Sequence, residues 1–250
     1  SAKHYKKPEK CTAVGMPVRQ EFLQADKAAA KKKLGLDGRP VILSTFGSQG
    51  AKMMNLAVAD LLKLEQDAGF PWQHIHGVGS FGWEWMPDLV KEKGVDYEAC
   101  ESIDMREYIY DMPVVMAAAD VVIGRAGSAT CNEIAVTGTP CILIPSPNVT
   151  GNHQEKNARV LENAGGAKVL LEGEFTAESL YDDVCALLKQ PEKLESLTAM
   201  VKDVNRTIVN SSDILSDHVY EYNDKGLAIA REDPSREHAK PARSHGFALE

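Results

Sequence analysis

The stretch DVVIGRAGSATCNE, Asp120–Glu133, decides the fold. It opens as a short apolar run ending in glycine and continues as a row of small residues, with a hydroxyl at Thr130 and a carboxylate at Glu133. A continuous apolar run suits a strand buried on both faces, as parallel sheets require. A small-residue loop that opens a helix leaves unpaired backbone amides at the helix start, and these favour an anion. The stretch therefore predicts one strand–loop–helix unit of an α/β sheet whose loop faces a ligand. A carboxylate one turn further on can accept hydrogen bonds from two vicinal hydroxyls, so Glu133 suits a ribose diol near a helix-bound diphosphate. An acid that merely complements the helix dipole is the other reading of Glu133, and a structural ion pair is the other reading of Arg125.

Working outward, the same pattern recurs. Val41–Thr45 reads as a buried strand, followed by a Gly-containing turn and a helix from about Ala51 to Gln66. In that helix Met54, Val58, Leu61 and Leu62 fall on one stripe. Further strands are predicted at Gln73–Val78, Val95–Cys100, Asp120–Gly124, Cys141–Pro145 and Ala167–Leu171. The predicted helices are Glu84–Lys93, Met112–Ala119, Ala129–Thr137, Asn152–Ala164 and Ala177–Lys189. This alternation implies an α/β, doubly wound parallel sheet of the Rossmann-like kind. After Pro191 only helical patterns remain, and Ser211-Ser212-Asp213 reads as a cap for a helix over 211–224. Residues 225–250 read as a polar, mobile tail, residues 1–13 as a linker or remnant, and 14–210 as the main domain.

Ligands of open α/β sheets sit beyond the carboxyl ends of the strands, which draws attention to two more loops. Phe46-Gly47-Ser48-Gln49-Gly50-Ala51 is Gly-rich and offers the Ser48 hydroxyl, a weak signal by itself. Pro145–Gln154 is stiffened by two prolines and leads into a helix carrying His153, Gln154 and Asn157, donors and acceptors suited to sugar hydroxyls. A capped helix start with solvated side chains is the plainer reading of those three residues.

Composition removes other classes. With 28 basic and 36 acidic residues the net charge is −8, which argues against non-specific binding to nucleic acid or anionic membrane. Five scattered cysteines without a C-x-x-C pair fit reduced thiols better than disulfides or zinc. No apolar run reaches the ~20 residues that span a bilayer. His74 and His76 share one strand face as some metal ligands do, but no third ligand stands at a suitable spacing, so no metal is expected. Lys31-Lys32-Lys33 reads as a solvated helix face, and Trp83 and Trp85 as packing residues.

Taken together, DVVIGRAGSATCNE, Gly138–Pro145 (GTPCILIP), Asn152–Ala158 (NHQEKNA), Val14–Arg19 (VGMPVR) and Gly47–Ala51 (GSQGA) resemble the MurG family of glycosyltransferases, over about residues 12–220. The resemblance implies one half of a two-domain GT-B enzyme, the C-terminal half that binds UDP-N-acetylglucosamine (UDP-GlcNAc). It implies inverting transfer of N-acetylglucosamine to the 4-hydroxyl of the muramoyl unit of lipid I, giving lipid II for peptidoglycan. No cofactor or divalent metal is implied. The acceptor site and general base fall to an N-terminal domain with a G-G-T-G-G-H loop, so this chain is expected to bind donor without turnover. A cytoplasmic enzyme, peripheral on the plasma membrane, is implied.

Residue by residue, the resemblance puts uracil on the Ile109 backbone and the ribose hydroxyls on Glu133. The diphosphate and sugar fall to Gly127, Ser128, Ala129 and Thr130, with Ser48 near the phosphates and Arg19 and Arg125 at the cleft. The N-acetylglucosamine hydroxyls fall to His153, Gln154 and Asn157. Phe46 stands where the family usually has glycine, a bulky neighbour for the second Gly-rich loop. The alternatives are the donor half of another GT-B glycolipid glycosyltransferase, a free-standing donor subunit recruited by a membrane partner, and a non-catalytic nucleotide-sensing module.

Overall fold

The computed structural model describes residues 18–189, with short pieces at 195–196, 198–199, 220–222 and 228–230. Its main unit is built on six parallel strands: β1 (Val41–Thr45), β2 (Gln73–Gly77), β3 (Ile103–Arg106), β4 (Val121–Gly124), β5 (Cys141–Leu143) and β6 (Ala167–Val169). Their order is β3-β2-β1-β4-β5-β6, the doubly wound arrangement that the alternation of the sequence implies. β1 pairs with β2 in the register Leu43↔Ile75 and with β4 in the register Leu43↔Val122.

Helices cover both faces because the central strands β1, β4 and β5 are buried on both. On one side α3 (Lys52–Asp67), α5 (Met86–Glu92) and α9 (Ala177–Leu188) pack with Ile42, Ile123 and Ile142. On the other, α6 (Met112–Ala118), α7 (Ser128–Thr137) and α8 (His153–Asn163) pack with Leu43, Ile75 and Val122. Met54, Val58, Leu61 and Leu62 of α3 are all buried, as their stripe predicts. The short helices α1 (Gln20–Leu23), α2 (Lys27–Lys33) and α4 (Ser80–Trp83) complete the unit.

Asp120, the charge that breaks the apolar run, fastens two elements together. It accepts from the Val41 amide at 2.8 Å and pairs with Lys27 and Lys31 of α2, each at 2.7 Å. Burial opposes its ionisation, yet the bonds from Lys27 and Lys31 hold its pKa below the usual carboxylate value. Lys31 is thus an ion-pair partner rather than part of a solvated face.

Two sequence expectations need correcting. The third strand is Ile103–Arg106, and Val95–Cys100 forms a turn in which Asp96 accepts from the Ala99 amide. β3 is an edge strand that buries Ile103 and Met105 and leaves Asp104 and Arg106 half-exposed. It therefore has no apolar run, whereas buried Val95 is a hydrophobe docked behind α5. The helix expected over 211–224 falls largely outside the described residues. Its Tyr220–Tyr222 is a strand, β7, paired antiparallel with β8 (Ala228–Ala230) inside the stretch expected to be a polar tail. The β propensity of Tyr220, Tyr222 and Ile229 favours a strand pair over a continued helix.

Under α3 the apolar core contains a polar chain. Ser44, His74, His76 and Glu65 are all buried. The Ser44 hydroxyl lies 2.7 Å from His74 Nε2 and 2.6 Å from His76 Nδ1, and Glu65 Oε1 lies 2.7 Å from His74 Nδ1. With neutral rings the donors run one way: His76 to Ser44, Ser44 to His74, His74 to Glu65. Burial, aided by the neighbouring His74, pushes the His76 pKa down to about 3. The unfolded imidazole takes its proton near pH 6.5, so between 6.5 and 3 the unfolded state binds the extra proton. Stability is fully present above that window. It is expected to fall as pH drops through it, by up to about 1.4 kcal/mol per pH unit from this group. Denaturant unfolding at pH 7 and pH 5 tests this; an equal loss in wild type and His76→Gln would refute it.

Candidate functional site

The strand order reverses between β1 and β4, and such switch points leave a crevice beyond the strand ends. A cavity of about 420 Å³ lies there, within the ~300–1,000 Å³ usual for small ligands. Its walls come from the end of β2 (Gly77), from the loops after β1 (Gly47, Ser48), β2 (Gly79) and β3 (Glu107 to Tyr110), from α7 (Ala129, Thr130, Glu133), and from Arg19 at the head of α1.

The Gly-rich loop after β1 folds back on itself, with the Gly50 amide donating to Gly47 O at 3.0 Å. It is clamped to the loop after β2, where the Ser80 amide donates to Ser48 O and the Phe81 amide to Gln49 O. Gly50 and Gly79 have φ of +77° and +83°, and a Cβ on Gly79 would lie 2.1 Å from the Gly50 nitrogen. These two glycines let two loops touch. Gly47, with open space around it and a place in the cavity wall, is the glycine that lets backbone approach a ligand. Phe46 is buried, its ring centroid 6.3 Å from that of His76 in the core under α3. The bulky residue turns inward and leaves the cavity open.

At α7 the N-cap is Gly127, and no side chain caps the helix. The first helical bond runs from the Cys131 amide to Gly127 O, so the amides of Ser128, Ala129 and Thr130 are unpaired among the described residues. Ala129 and Thr130 line the cavity. Glu133 follows one turn on, half-buried, and its carboxylate has no hydrogen-bond partner among the described residues. Burial raises its pKa above the ordinary value, and the Arg19 charge pulls the other way. Arg19 itself stacks 5.2 Å from the Phe22 ring centroid.

Opposite stands the segment after β3. Ile109 packs onto Gly77, where a Cβ would meet Ile109 Cδ1 at 3.1 Å, and the Tyr108 and Tyr110 rings lie 4.8 Å apart. Arg106 anchors the segment through Asp104 and, at 2.8 Å, Asp111. The backbone N–H and C=O of Ile109 have no hydrogen-bond partner among the described residues. An unpaired donor and acceptor on one residue at a cavity wall match the edge of a nucleobase.

The structure thus brings Arg19, Ser48, Ile109, Ala129, Thr130 and Glu133 together. Gly127 and exposed Ser128 form the adjoining helix tip. Four predicted residues stand outside the cavity walls, each bonded locally. Arg125 donates to Ile144 O at 3.1 Å and pairs with Glu172 at 2.5 Å. Gln154 Oε1 accepts from the Ser146 amide at 2.9 Å, Asn157 Nδ2 donates to Ala126 O at 3.1 Å, and His153 Nδ1 lies 3.0 Å from Thr150 O. Loop backbone needs partners of its own, and these side chains supply them. The sequence reading missed Glu107 and Gly79 in the wall, although Gly79 follows a strand just as Gly47 does. Among the described residues no three His, Cys, Asp or Glu side chains group as metal ligands, and no helix is long and apolar enough to cross a membrane.

Comparison with known proteins places this geometry. A family model, the glycosyltransferase family 28 C-terminal domain, matches residues 41–211. A Caldanaerobacter subterraneus subsp. tengcongensis protein named UDP-N-acetylglucosamine--N-acetylmuramyl-(pentapeptide) pyrophosphoryl-undecaprenol N-acetylglucosamine transferase is 38% identical over 208 residues, 83% of this chain and 56% of its own length. A protein of the same name from Acetivibrio thermocellus is 37% identical, covering 82% of this chain and 54% of its own. The chain therefore spans about half the length of the curated relatives it matches. The crystal structure of Acinetobacter baumannii MurG superposes with a TM-score of 0.58 at 24% identity, over 76% of this chain and 53% of that one, a likeness of fold. From its doubly wound sheet, its switch-point cavity and these matches, the chain belongs to the glycosyltransferase family 28 C-terminal domain family.

Proposed function

We propose that this chain is the donor-binding half of an enzyme that transfers N-acetylglucosamine from UDP-GlcNAc to the 4-hydroxyl of the muramoyl unit of lipid I. One observation carries the reading. Unpaired α7 amides, the unpartnered Glu133 carboxylate and the unpaired Ile109 backbone all meet one cavity at the switch point. These groups match, in order, a diphosphate, a ribose diol and a pyrimidine edge. The relatives' printed names supply the sugar and the acceptor.

In this reading uracil lies against Ile109, the ribose hydroxyls donate to Glu133, and the diphosphate takes the amides of Ser128 to Thr130 with help from Ser48. The sugar extends toward His153 and the uncommitted amide atoms of Gln154 and Asn157. The acceptor hydroxyl attacks the anomeric carbon, the bond to the diphosphate oxygen breaks, and configuration inverts. The α7 amides are already oriented toward the charge that develops on departing UDP, so they stabilise it without reorganisation. Helix-tip amides can serve where a divalent cation otherwise would, and the proposal includes no metal requirement. The acceptor site and base belong to the half of such enzymes that this chain does not span. A lipid-linked acceptor is consistent with reaction at a membrane surface, and a peripheral enzyme on the cytoplasmic face is part of the proposal.

Calorimetry tests the donor reading. The 250-residue chain is expected to bind UDP-GlcNAc more tightly than UDP-glucose, with affinity unchanged by a chelator, and to give no transfer to a lipid I analogue. Absence of any affinity for UDP compounds would overturn the reading, and robust transfer by this chain alone would overturn the division of labour.

A further inference from the structure

We propose that Arg125 and Glu172 act as a positioning pair that holds the diphosphate-binding tip of α7, and that Arg125 does not touch the ligand. The inference rests on the donor reading above and assigns Arg125 a different part in it.

Arg125 follows β4 directly and precedes the Gly127 cap by two residues. The Arg125 side chain is 13% exposed and that of Glu172 20%. One nitrogen lies 2.5 Å from Glu172 Oε2 and another donates to Ile144 O at 3.1 Å. Ile144 leaves β5 and Glu172 lies just beyond β6, so one side chain ties three neighbouring strand exits together. From the other side, Asn157 of α8 donates to Ala126 O. The stretch Arg125–Gly127 is thus clasped twice, and the amides expected to take the diphosphate begin immediately after it.

Charge accounts for Arg125 staying where it is. Glu172 Oε2 is buried and makes no aligned hydrogen bond, so Arg125 is the cation that offsets it among the described residues. Glu155 and Glu174 line the same small groove as Glu172 and add negative potential there. Moving Arg125 to a phosphate would strand the buried Oε2 of a largely covered carboxylate, and breaking one partner out of such a pair is costly. A fork that bridges a carboxylate and a carbonyl is a use of guanidinium geometry that lysine reproduces only in part.

The two roles predict opposite responses to Glu172→Gln. If Arg125 contacted phosphate, releasing it from Glu172 would leave UDP affinity unchanged or tighten it. As a positioning pair, Glu172→Gln and Arg125→Ala are each expected to weaken UDP about tenfold. Uridine, which lacks the diphosphate, shifts less than about twofold, and Arg125→Lys recovers part of the loss because it keeps the charge pairing. Equal losses for UDP and uridine would mark a merely structural role and overturn the proposal, as would UDP affinity that is unchanged or improved in Glu172→Gln. Amide hydrogen exchange in the same 250-residue variants gives a readout that does not need ligand: faster exchange at residues 126–131 with α3 unaltered supports the pair. If wild type fails to bind UDP, the donor reading falls by itself. Unaltered exchange at 126–131 in both variants then overturns the positioning role independently.

Discussion

Glu133→Gln is expected to weaken UDP binding about ten- to a hundredfold while leaving the unliganded protein at least as stable. The first half follows from hydrogen bonding. A carboxylate accepting from two ribose hydroxyls makes charged hydrogen bonds worth about 1.5–3 kcal/mol, and the amide offers a single neutral acceptor in their place. The second half follows from the electrostatics of the empty cavity. Burial raises the Glu133 pKa, with Arg19 opposing, so the folded state holds this proton more tightly than the unfolded chain does. Between the ordinary carboxylate value and the raised one the folded state carries the extra proton, and this contribution to stability falls as pH rises through the window. At neutral pH the ionised Glu133 is therefore a cost that the glutamine variant removes. The same shift gives binding its own pH dependence. Affinity for UDP weakens on acidification at a higher pH than an unperturbed glutamate would give, and the glutamine variant lacks that step. Calorimetry from pH 7 to pH 5, with thermal unfolding of both proteins, measures all three effects. Unchanged affinity in the variant would remove Glu133 from the site.

Gly79→Ala carries the largest expected cost in stability. Its φ of +83° is a region L-residues rarely adopt, and the added Cβ would fall 2.1 Å from the Gly50 nitrogen and 2.4 Å from the Gln49 carbonyl carbon. Both neighbours are backbone and cannot rotate away. A left-handed penalty of about 1–2 kcal/mol and overpacking of about 1–3 kcal/mol together give about 2–5 kcal/mol. Relief requires the two loops to part, breaking the bonds from Ser80 to Ser48 O and from Phe81 to Gln49 O, and shifting Ser48 in the cavity wall. The variant is therefore expected to lose denaturant stability and UDP affinity together. Gly47→Ala is the matched control, since nothing lies within 4 Å of its Cβ position although its φ is +90°. Equal stability losses in the two variants would show that backbone strain, and not loop contact, sets the cost.

How much the sequence discloses depends on the physical range of each signal. β1 and β4 are legible because a strand with two buried faces must be apolar throughout. β3 is hidden because an edge strand buries alternate residues only, and Asp104 and Arg106 break the run. Thr130 and Glu133 are legible as residues of the cavity wall because strand, small loop, hydroxyl and acid lie within one short segment. Arg125 is not, since its partner Glu172 lies on another loop and nothing local in either segment announces the pair. Glycines are ambiguous for a different reason. Gly47 faces the cavity and Gly50 faces backbone, yet each reads as a turn glycine in the sequence. Phe46 shows the limit of reasoning from size, because strand alternation turns its ring into the core.

The placement of β1 at the centre of the sheet sets an order of assembly. One neighbour, β2, is the next strand in the chain, but the other, β4, reaches it from far along, and the Val41 amide closes onto Asp120 only after 79 steps of sequence. A ribosome must therefore deliver everything through β4 before the central strand has both its partners, and the remainder of α7 before Glu133 is present. The switch-point cavity is a late product of synthesis, and a nascent chain halted short of that point holds a sheet with an open flank ready to pair with a stranger.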